Sequence, residues 1–455
     1  HIQRNKFDTT DDIILVNTDA LTKQNEFVKI IRIPCAEQAV TLTHTHFQNN
    51  YAELNGGAIY TPDNYKNALF HLRNATFLDN VANKGKGGAV RISGPQTALD
   101  IADATFTGNQ ANSGGAISIE SSASMQMSRV TATKNKAAGG GDGGFLFAKF
   151  TQPILLSDVT IEESSTKNQG GGGIAVYSSS VALEQVRIQR CYAENGVGGG
   201  ILLVGEAEVH MLDCILDGNQ AKSSGGDVRV VGSSLVVHGK GIRLTWPDQE
   251  PVFPNTRELV ANVATSMSNS AASISGGSIS CAVSLSKQVF EIFDNEQDGG
   301  VCQSNLYPFQ TTSNASTQYA CSSKGVYLGP STSLHHSIAT KNGGAISANL
   351  CAIELLNTSI INSTSVTGNG GAILVSSESV LRVNAHSTLK DNKAALGSGG
   401  AVSCDECNTM TFDGNTNFQH NIAQAGGGAI HLKSPMNPVT STGSQFTSNT
   451  AQQSN

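Results

Sequence analysis

Charged and aromatic side chains are scarce in this chain of 455 residues. Charged residues make up 14% and aromatic residues 5%, with a single tryptophan, Trp246. The net charge of −7 is mild and no stretch is strongly basic, which argues against a nucleic-acid partner or an anionic lipid surface. No run of 18 apolar residues occurs, so we expect no membrane span in this segment. The low aromatic content also argues against an extended sugar-stacking cleft.

Helical periodicity is missing as well. A helical repeat needs apolar residues at i, i+3, i+4 and i+7 through each unit, and no unit keeps that pattern. The chain instead contains 48 glycines, many of them in pairs, and each glycine would cost about 1 kcal/mol inside a helix. A helical solenoid is therefore excluded.

A glycine pair followed by a small residue and then an aliphatic one recurs at a nearly constant step. The steps between the first glycines are 27 to 31 residues, except for one of 51 and one of 67. Such a period is typical of repeat architectures. The first glycines are Gly56, Gly87, Gly114, Gly143, Gly171, Gly198, Gly225, Gly276, Gly343, Gly370, Gly399 and Gly427.

The position three residues after each first glycine is aliphatic in every copy, which predicts a strand with that side chain facing inward. A second motif precedes most glycine pairs, an apolar residue followed three positions later by asparagine, as in Phe77 and Asn80. Small or apolar residues two positions before that anchor complete the alternation of a short strand.

Short strands separated by bends, with no hairpin turns, predict a parallel β-helix of about 28 residues per coil and twelve or more coils. Equivalent residues then stack in columns, and a column of asparagines at a turn can pass amide hydrogen bonds from coil to coil. Coil spacing predicts a rod of roughly 60 Å. The predicted asparagine ladder consists of Asn50, Asn80, Asn109, Asn135, Asn219, Asn392, Asn421 and Asn449.

The coupled Gly-Gly-Ala-Ile and Phe-x-x-Asn motifs resemble the repeats of chlamydial polymorphic outer membrane proteins. More broadly, they resemble the right-handed β-helix domains of pectin-lyase-like proteins. The resemblance covers about residues 40–230 and 335–455 and implies an all-β, right-handed parallel β-helix. It does not select a function, because this fold hosts adhesins, structural filaments and polysaccharide enzymes.

The repeat spacing divides the chain into four parts. Residues 1–40 lack the glycine pair and are expected to be a degenerate coil or a cap, and residues 41–230 form regular coils. Residues 231–335 are irregular. The step of 51 residues between glycine pairs is interpreted as two coils, the extra one around 239–242. The step of 67 residues is interpreted as two coils, or as one coil with a long loop near 285–330. Residues 336–455 are regular coils with an open end. The irregular part is either a partner surface or a decorated loop without a partner.

Four sequons for N-glycosylation begin at Asn74, Asn314, Asn357 and Asn362. Strand alternation points Asn74 and Asn357 outward, where a glycan has room. Use of these sites implies a eukaryotic secretory route, which departs from the bacterial family; chance occurrence in a chain rich in Asn, Ser and Thr is the alternative.

Nine cysteines leave at least one without an intramolecular partner. We predict a disulfide between Cys302 and Cys321 in the irregular part, and a tight one between Cys404 and Cys407. Cys214 occupies an inward position and is expected to be a buried thiol. A zinc site at Cys404 and Cys407 lacks a second ligand pair, so we expect no metal and no cofactor, and only covalent N-glycans as bound groups.

Three functions compete. The first is a non-catalytic, extracellular or cell-surface filament subunit that associates end to end. Residues 446–451 begin a coil that is not followed by a glycine pair, and an open strand edge pairs readily with another chain. The second is a surface adhesin or autotransporter-like passenger that binds a glycan or another cell-surface ligand. The third is a polysaccharide lyase or hydrolase.

Few residues are candidates for catalysis. Asp213 and Asp217 flank Cys214, and Asp227 follows the next glycine pair, but no acidic residue stacks one coil earlier. Asp142, within the glycines at 139–144, lacks the nine-residue repeat of calcium-binding β-rolls. The histidine pairs have no acid–base partners. We therefore expect a protein that is not an enzyme.

Overall fold

The computed structural model describes residues 12–17, 29–34, 39–63, 66–151, 153–239, 243–246, 257–260, 263–282, 310–311 and 325–452. These residues form strands, turns and bends, and no helix occurs among them. The strands wind into a right-handed parallel β-helix, which confirms the predicted fold class. Each coil contributes strands to three long sheets that run the length of the rod.

Sheet 1 contains the strands that follow the glycine pairs, together with two strands from the first forty residues. Its aliphatic first residues pair directly from coil to coil, as Val90 does with Ile117, and form one inward column. The sheet has 14 strands. In spatial order they are Lys29–Pro34, Asp12–Asn17, Ile59–Tyr60, Val90–Ser93, Ile117–Glu120, Leu146–Lys149, Ile174–Tyr177, Ile201–Val204, Val228–Val231, Ile279–Ala282, Ile346–Asn349, Ile373–Ser376, Val402–Asp405 and Ile430–Lys433.

Sheet 2 contains two parallel ladders that merge in three coils. The first ladder comprises Ala39–Thr43, Leu69–Arg73, Ala98–Thr107, Ser124–Thr133, Ile154–Glu162, Ser180–Glu184, Glu208–Leu212, Ser234–Val237, Gly325–Leu328, Ala352–Leu356, Val380–Asn384, Thr409–Phe412 and Thr440–Ser441. The second comprises His46–Gln48, Thr76–Leu78, Arg187–Gln189, Ile215–Asp217, Ser266–Ser268, Ser333–His335, Ser359–Ile361, Thr388–Lys390, Asn417–Gln419 and Gln445–Thr447, and the three long strands of the first ladder complete it.

Sheet 3 has 13 strands of two residues each, which lie between the asparagine position and the next glycine pair. They are Tyr51–Ala52, Val81–Ala82, Gln110–Ala111, Lys136–Ala137, Ser165–Thr166, Tyr192–Ala193, Gln220–Ala221, Ala271–Ala272, Ile338–Ala339, Thr364–Ser365, Lys393–Ala394, Ile422–Ala423 and Thr450–Ala451.

Two antiparallel strands, Asp12–Asn17 and Lys29–Pro34, cover one edge of sheet 1. Asp12–Asn17 pairs with Lys29–Pro34, and it also pairs antiparallel with the first coil at Ile59–Tyr60. Every coil-to-coil pairing in the three long sheets is parallel. The arrangement of these two strands is that of a cap rather than of a further coil.

The two long steps are single coils with insertions. Ile215–Asp217 pairs directly with Ser266–Ser268, so no extra coil lies around residues 239–242, and that interpretation of the step of 51 was wrong. Ser234–Val237 pairs directly with Gly325–Leu328, so the step of 67 is one coil with a long insertion. The register continues because each insertion leaves and re-enters the rod between strands of the same coil.

Strands from both insertions pair with each other. Arg243–Trp246 lies between Arg257–Val260 and Gln310–Thr311 in a separate antiparallel sheet of three strands. The first two strands come from the insertion of the shorter step and the third from that of the longer step. The two insertions therefore share one small sheet.

Stacked apolar columns fill the interior. The rings of Phe47, Phe77 and Phe106 stack with centroids 4.9 and 4.6 Å apart, and Phe418 stacks on Phe446 at 4.7 Å. Every apolar anchor of the second sequence motif falls in this one column. Continuous burial of aromatic and aliphatic side chains stabilises the rod by roughly 25 cal/mol per Å² of apolar surface.

Candidate ligand pocket on sheet 1

The predicted asparagine ladder exists as two separate runs. In the first run, Asn50 donates through Nδ2 to Oδ1 of Asn80 at 2.7 Å, and the pattern continues through Asn109 to Asn135. In the second run, Asn392 donates to Asn421, and Asn421 to Asn449. Each Oδ1 that accepts such an amide also accepts the backbone N–H of the same asparagine in the preceding coil, so every rung ties a turn to the next coil.

Asn219 belongs to neither run. Its Oδ1 accepts the backbone N–H of Cys191, while its Nδ2 donates to Oδ1 of Asp227 at 2.9 Å. Asp227 is fully buried, and burial raises its pKa to about 7. Its other oxygen accepts a hydrogen bond from Ser270. The interior between the two runs therefore holds a polar cluster.

The structure joins Cys404 to Cys407 by a disulfide. It also joins Cys281 to Cys351, a pair that the sequence analysis missed because sequence separation gave no signal of their stacked positions. The pair predicted between Cys302 and Cys321 lies outside the described residues.

Cys214 is a buried free thiol, as is Cys191. Burial raises the pKa of each thiol to about 12. Such thiols are protonated and unreactive near neutral pH.

The sequon asparagines occupy exposed corners of the rod. Asn74 and Asn357 lie at the bend between the two ladders of sheet 2, with φ of 51° and 46°, and Asn362 lies at the next bend with φ of 54°. All three are exposed, so a glycan has room at each. Asn314 lies outside the described residues.

The acidic residues considered for catalysis have structural partners. Asp213 accepts the backbone N–H of Val263, and Asp217 accepts hydrogen bonds from Ser268 and Asn269. Each of these contacts ties the preceding coil to the coil that contains the first insertion, at residues that follow the insertion. Within the described ranges, no three His, Cys, Asp or Glu side chains are grouped to hold a metal ion.

A pocket of about 370 Å³ opens on the outer face of sheet 1. Four successive coils line it through the turns that precede their glycine pairs, and two of these coils also contribute outward side chains of the sheet 1 strand that follows. The lining residues are Lys86, Asn112, Ser113, Gly139, Gly140, Gly141, Asp142, Phe147, Lys149, Gln169 and Tyr177.

The turn residue directly before each glycine pair positions one wall of the pocket. These residues form a second hydrogen-bonding column, in which Asp142 Oδ1 accepts the backbone N–H of Gly170 at 2.8 Å. Asn342 and Asn369 do the same to the coils that follow them. The sequence analysis missed this column because its residue type varies from coil to coil.

Asp142 and Tyr177 form the polar back of the pocket. The Tyr177 hydroxyl donates to Asp142 Oδ2 at 2.6 Å. Burial raises the pKa of Asp142, against the lowering effect of its hydrogen bonds from Tyr177 and Gly170. Burial and then the neighbouring carboxylate raise the pKa of Tyr177. The pair is a fixed hydrogen-bonded wall rather than an acid–base dyad poised for proton transfer.

The glycine run at 139–141 packs too closely for side chains. A Cβ on Gly139 would lie 2.3 Å from Asn112 Oδ1, and one on Gly141 would lie 1.9 Å from Ser113 Oγ. Asn112 Oδ1 is buried and accepts no hydrogen bond from the described residues. The glycines therefore keep this wall thin and leave an acceptor in it without a donor.

Two lysines of different electrostatic status flank the pocket. Lys86 Nζ lies 2.6 Å from Glu120 Oε2 and 4.9 Å from the centre of the Phe147 ring, so its charge is compensated. Lys149 forms no ion pair with any described carboxylate, and its Nζ lies 5.2 Å from the Phe150 ring. The pocket thus combines an apolar floor at Phe147, amide groups and one uncompensated cation.

Two family comparisons match parts of the chain. Residues 65–244 match the right-handed β-helix region, and residues 44–62 match the Chlamydia polymorphic membrane protein repeat. These matches confirm the resemblance inferred from the two sequence motifs. No curated protein and no solved structure matches the chain. No helix in the described ranges is long and apolar enough to cross a membrane.

Proposed function

We propose that this chain is the rod of a surface-displayed or secreted protein of the adhesin or passenger type, and that it binds a ligand non-catalytically in the sheet 1 pocket. The observation that carries the proposal is the pocket itself, which four successive coils build on the outer face of sheet 1. The similarity to the polymorphic membrane protein repeat supports a place at a cell surface.

A binding role fits the groups in the pocket better than catalysis. Asp142 is held by Tyr177 and Gly170, and Glu120 by Lys86. Glycoside hydrolysis uses a pair of carboxyl groups that are free to act on the bond between them. Amide groups and Lys149 remain available for hydrogen bonding to a ligand.

The filament predicted from the sequence is the second candidate. End-to-end stacking continues the parallel sheets only if the first coil has free edges. The antiparallel strand Asp12–Asn17 occupies the sheet 1 edge of that coil. This pairing favours a discrete rod over a stacked homopolymer.

Binding of the labelled chain to cultured epithelial cells tests the proposal. We expect the double substitution Lys149→Ala and Gln169→Ala to remove most of the binding, because both side chains line the pocket. Lys134→Ala is the matched control, since Lys134 is an exposed lysine away from the pocket. Equal binding by the double variant and the parent chain would exclude the pocket as the adhesive site.

Negative-stain electron microscopy across a dilution series separates the two candidates. The adhesin proposal expects short rods at every concentration. Long fibres that persist on dilution would overturn the preference for a discrete rod and would favour the filament.

A further inference from the structure

The corner that follows most of the described sheet 1 strands has a left-handed backbone. Three coils place glycine there, four place serine, and the larger residues at this corner include Leu350. The glycines with positive φ are Gly94, Gly205 and Gly232, and the serines are Ser121, Ser178, Ser377 and Ser434. Phe150 occupies the same corner after Leu146–Lys149 with φ of 51°. A bulky side chain in this conformation is strained by roughly 1 to 2 kcal/mol relative to glycine.

Phe150 gains little from burial in return. It is 58% exposed, so its ring is not part of the core. Its ring lies beside the ammonium group of Lys149, which lines the pocket, so the ring neighbours the pocket without lining it. A strained and exposed aromatic residue beside a pocket is a reason to infer function.

The pocket and this ring together have the chemistry of a saccharide site. A sugar presents hydroxyl groups that can both donate and accept, and one apolar face of C–H groups. Lys149 and the Gln169 amide nitrogen supply donors, and the Gln169 amide oxygen is an acceptor. The exposed Phe150 face offers the apolar platform that a second sugar unit needs.

We propose that this site binds an oligosaccharide of at least two units, one in the pocket and the next against the ring of Phe150. The inference rests on the proposed function and names its ligand class. Phe150 is then a specificity-determining residue that selects chains over single sugars. Its strained backbone persists because a glycine would stabilise the corner but remove the platform.

A glycan array of immobilised mono- and oligosaccharides identifies the ligand. Titration then measures the dissociation constants of the best-bound oligosaccharide and of its monosaccharide. We expect Phe150→Gly to weaken oligosaccharide binding by about tenfold, as for loss of one aromatic contact. Affinity for the monosaccharide stays unchanged. The melting temperature stays the same or rises.

Leu350→Gly is the matched control, because Leu350 occupies the same corner after Ile346–Asn349 with φ of 52°. It removes an apolar side chain from that corner in a coil that does not line the pocket. We expect it to leave saccharide binding unchanged.

The outcomes separate the two proposals. Oligosaccharide binding that Phe150→Gly does not change would overturn the role of Phe150 while leaving the pocket in place. Absence of saccharide binding on the array, together with cell binding that the pocket variants abolish, would overturn the ligand class alone. Absence of both would overturn the proposed function as well.

Discussion

Asp227 shows how one residue changes the interior of the rod. It stands two residues after Gly225, the first glycine of its pair. Six other coils have a fully buried alanine at this position, as at Ala89 and Ala116, and Ala429 is 9% exposed. The carboxyl group is fully buried and is hydrogen-bonded to Asn219 and Ser270. With no cation to compensate it in the described surroundings, the carboxyl favours its neutral form.

This environment predicts a pH-dependent loss of stability. The folded pKa of Asp227 is raised to about 7, above the unfolded value of about 3.9. The unfolded chain therefore ionises first, and the contribution of Asp227, complete below about pH 4, is lost as pH rises towards 7. We expect the parent chain to lose on the order of 4 kcal/mol over this range relative to Asp227→Asn.

Thermal unfolding of both proteins from pH 4 to pH 8 measures the difference. Asparagine keeps the shape and hydrogen-bonding capacity of the neutral acid, so the two stabilities should agree at pH 4 and diverge above it. Parallel curves over the whole range would show that Asp227 ionises as freely in the fold as in the unfolded chain.

At the scale of the coil, the two glycines of each pair have different tasks. The first has a positive φ, as at Gly87 with 66°. The second allows close approach of the next coil: a Cβ on Gly88 would lie 2.1 Å from the carbonyl oxygen of Gly115 and 2.6 Å from the backbone nitrogen of Gln110. The second glycine is therefore required by steric contact with the next coil, and the first by the backbone conformation of its own coil.

Two alanine substitutions separate these effects. Gly88→Ala places a methyl group against fixed backbone, and we expect it to lower the free energy of unfolding by at least about 3 kcal/mol. Gly232→Ala has positive φ but open space around its Cβ, so it should cost only about 1 kcal/mol. Urea denaturation measures both, and equal costs would contradict a steric origin of the second glycine.

The coil plan was readable from the sequence because stacking fixes residue type at each column. The inward aliphatic position repeats in every regular coil, and an apolar residue three positions before asparagine recurs in most of them, so spacing alone located sheets 1 and 2. The pocket was not readable, since its turn column varies between Lys86, Ser113 and Asp142. The low aromatic content of the whole chain likewise gave no sign that Phe147, Phe150 and Tyr177 lie close together near the sheet 1 pocket.

The insertions were misread for a related reason. A step of 51 residues between glycine pairs is close to twice the coil length. Spacing alone does not reveal which strands on either side of the insertion pair with each other. The register from Asp217 to Ser268 shows a single coil. An insertion that leaves and re-enters the rod between two strands of one coil preserves every column, and sequence spacing cannot distinguish it from a degenerate coil.

At the scale of the whole rod, the columns continue through the irregular part. Val228–Val231 pairs with Ile279–Ala282, which pairs in turn with Ile346–Asn349. The disulfide between Cys281 and Cys351 joins two of these coils. Since stability in a repeat protein depends on contacts between neighbouring coils, the rod should unfold as one unit rather than as two blocks.

Removal of the longer insertion tests this continuity. Ala282 and Gly325 are in register with Val231 and Ser234, which two residues, Gly232 and Ser233, connect in the preceding coil. Replacing residues 283–324 with Gly-Ser should therefore close the coil without displacing a strand. We expect differential scanning calorimetry to give a single transition for the parent and for the deletion, with melting temperatures within a few degrees. Two resolved transitions in the parent that merge in the deletion would mean that the insertion, and not the continuous columns, governs how the rod unfolds.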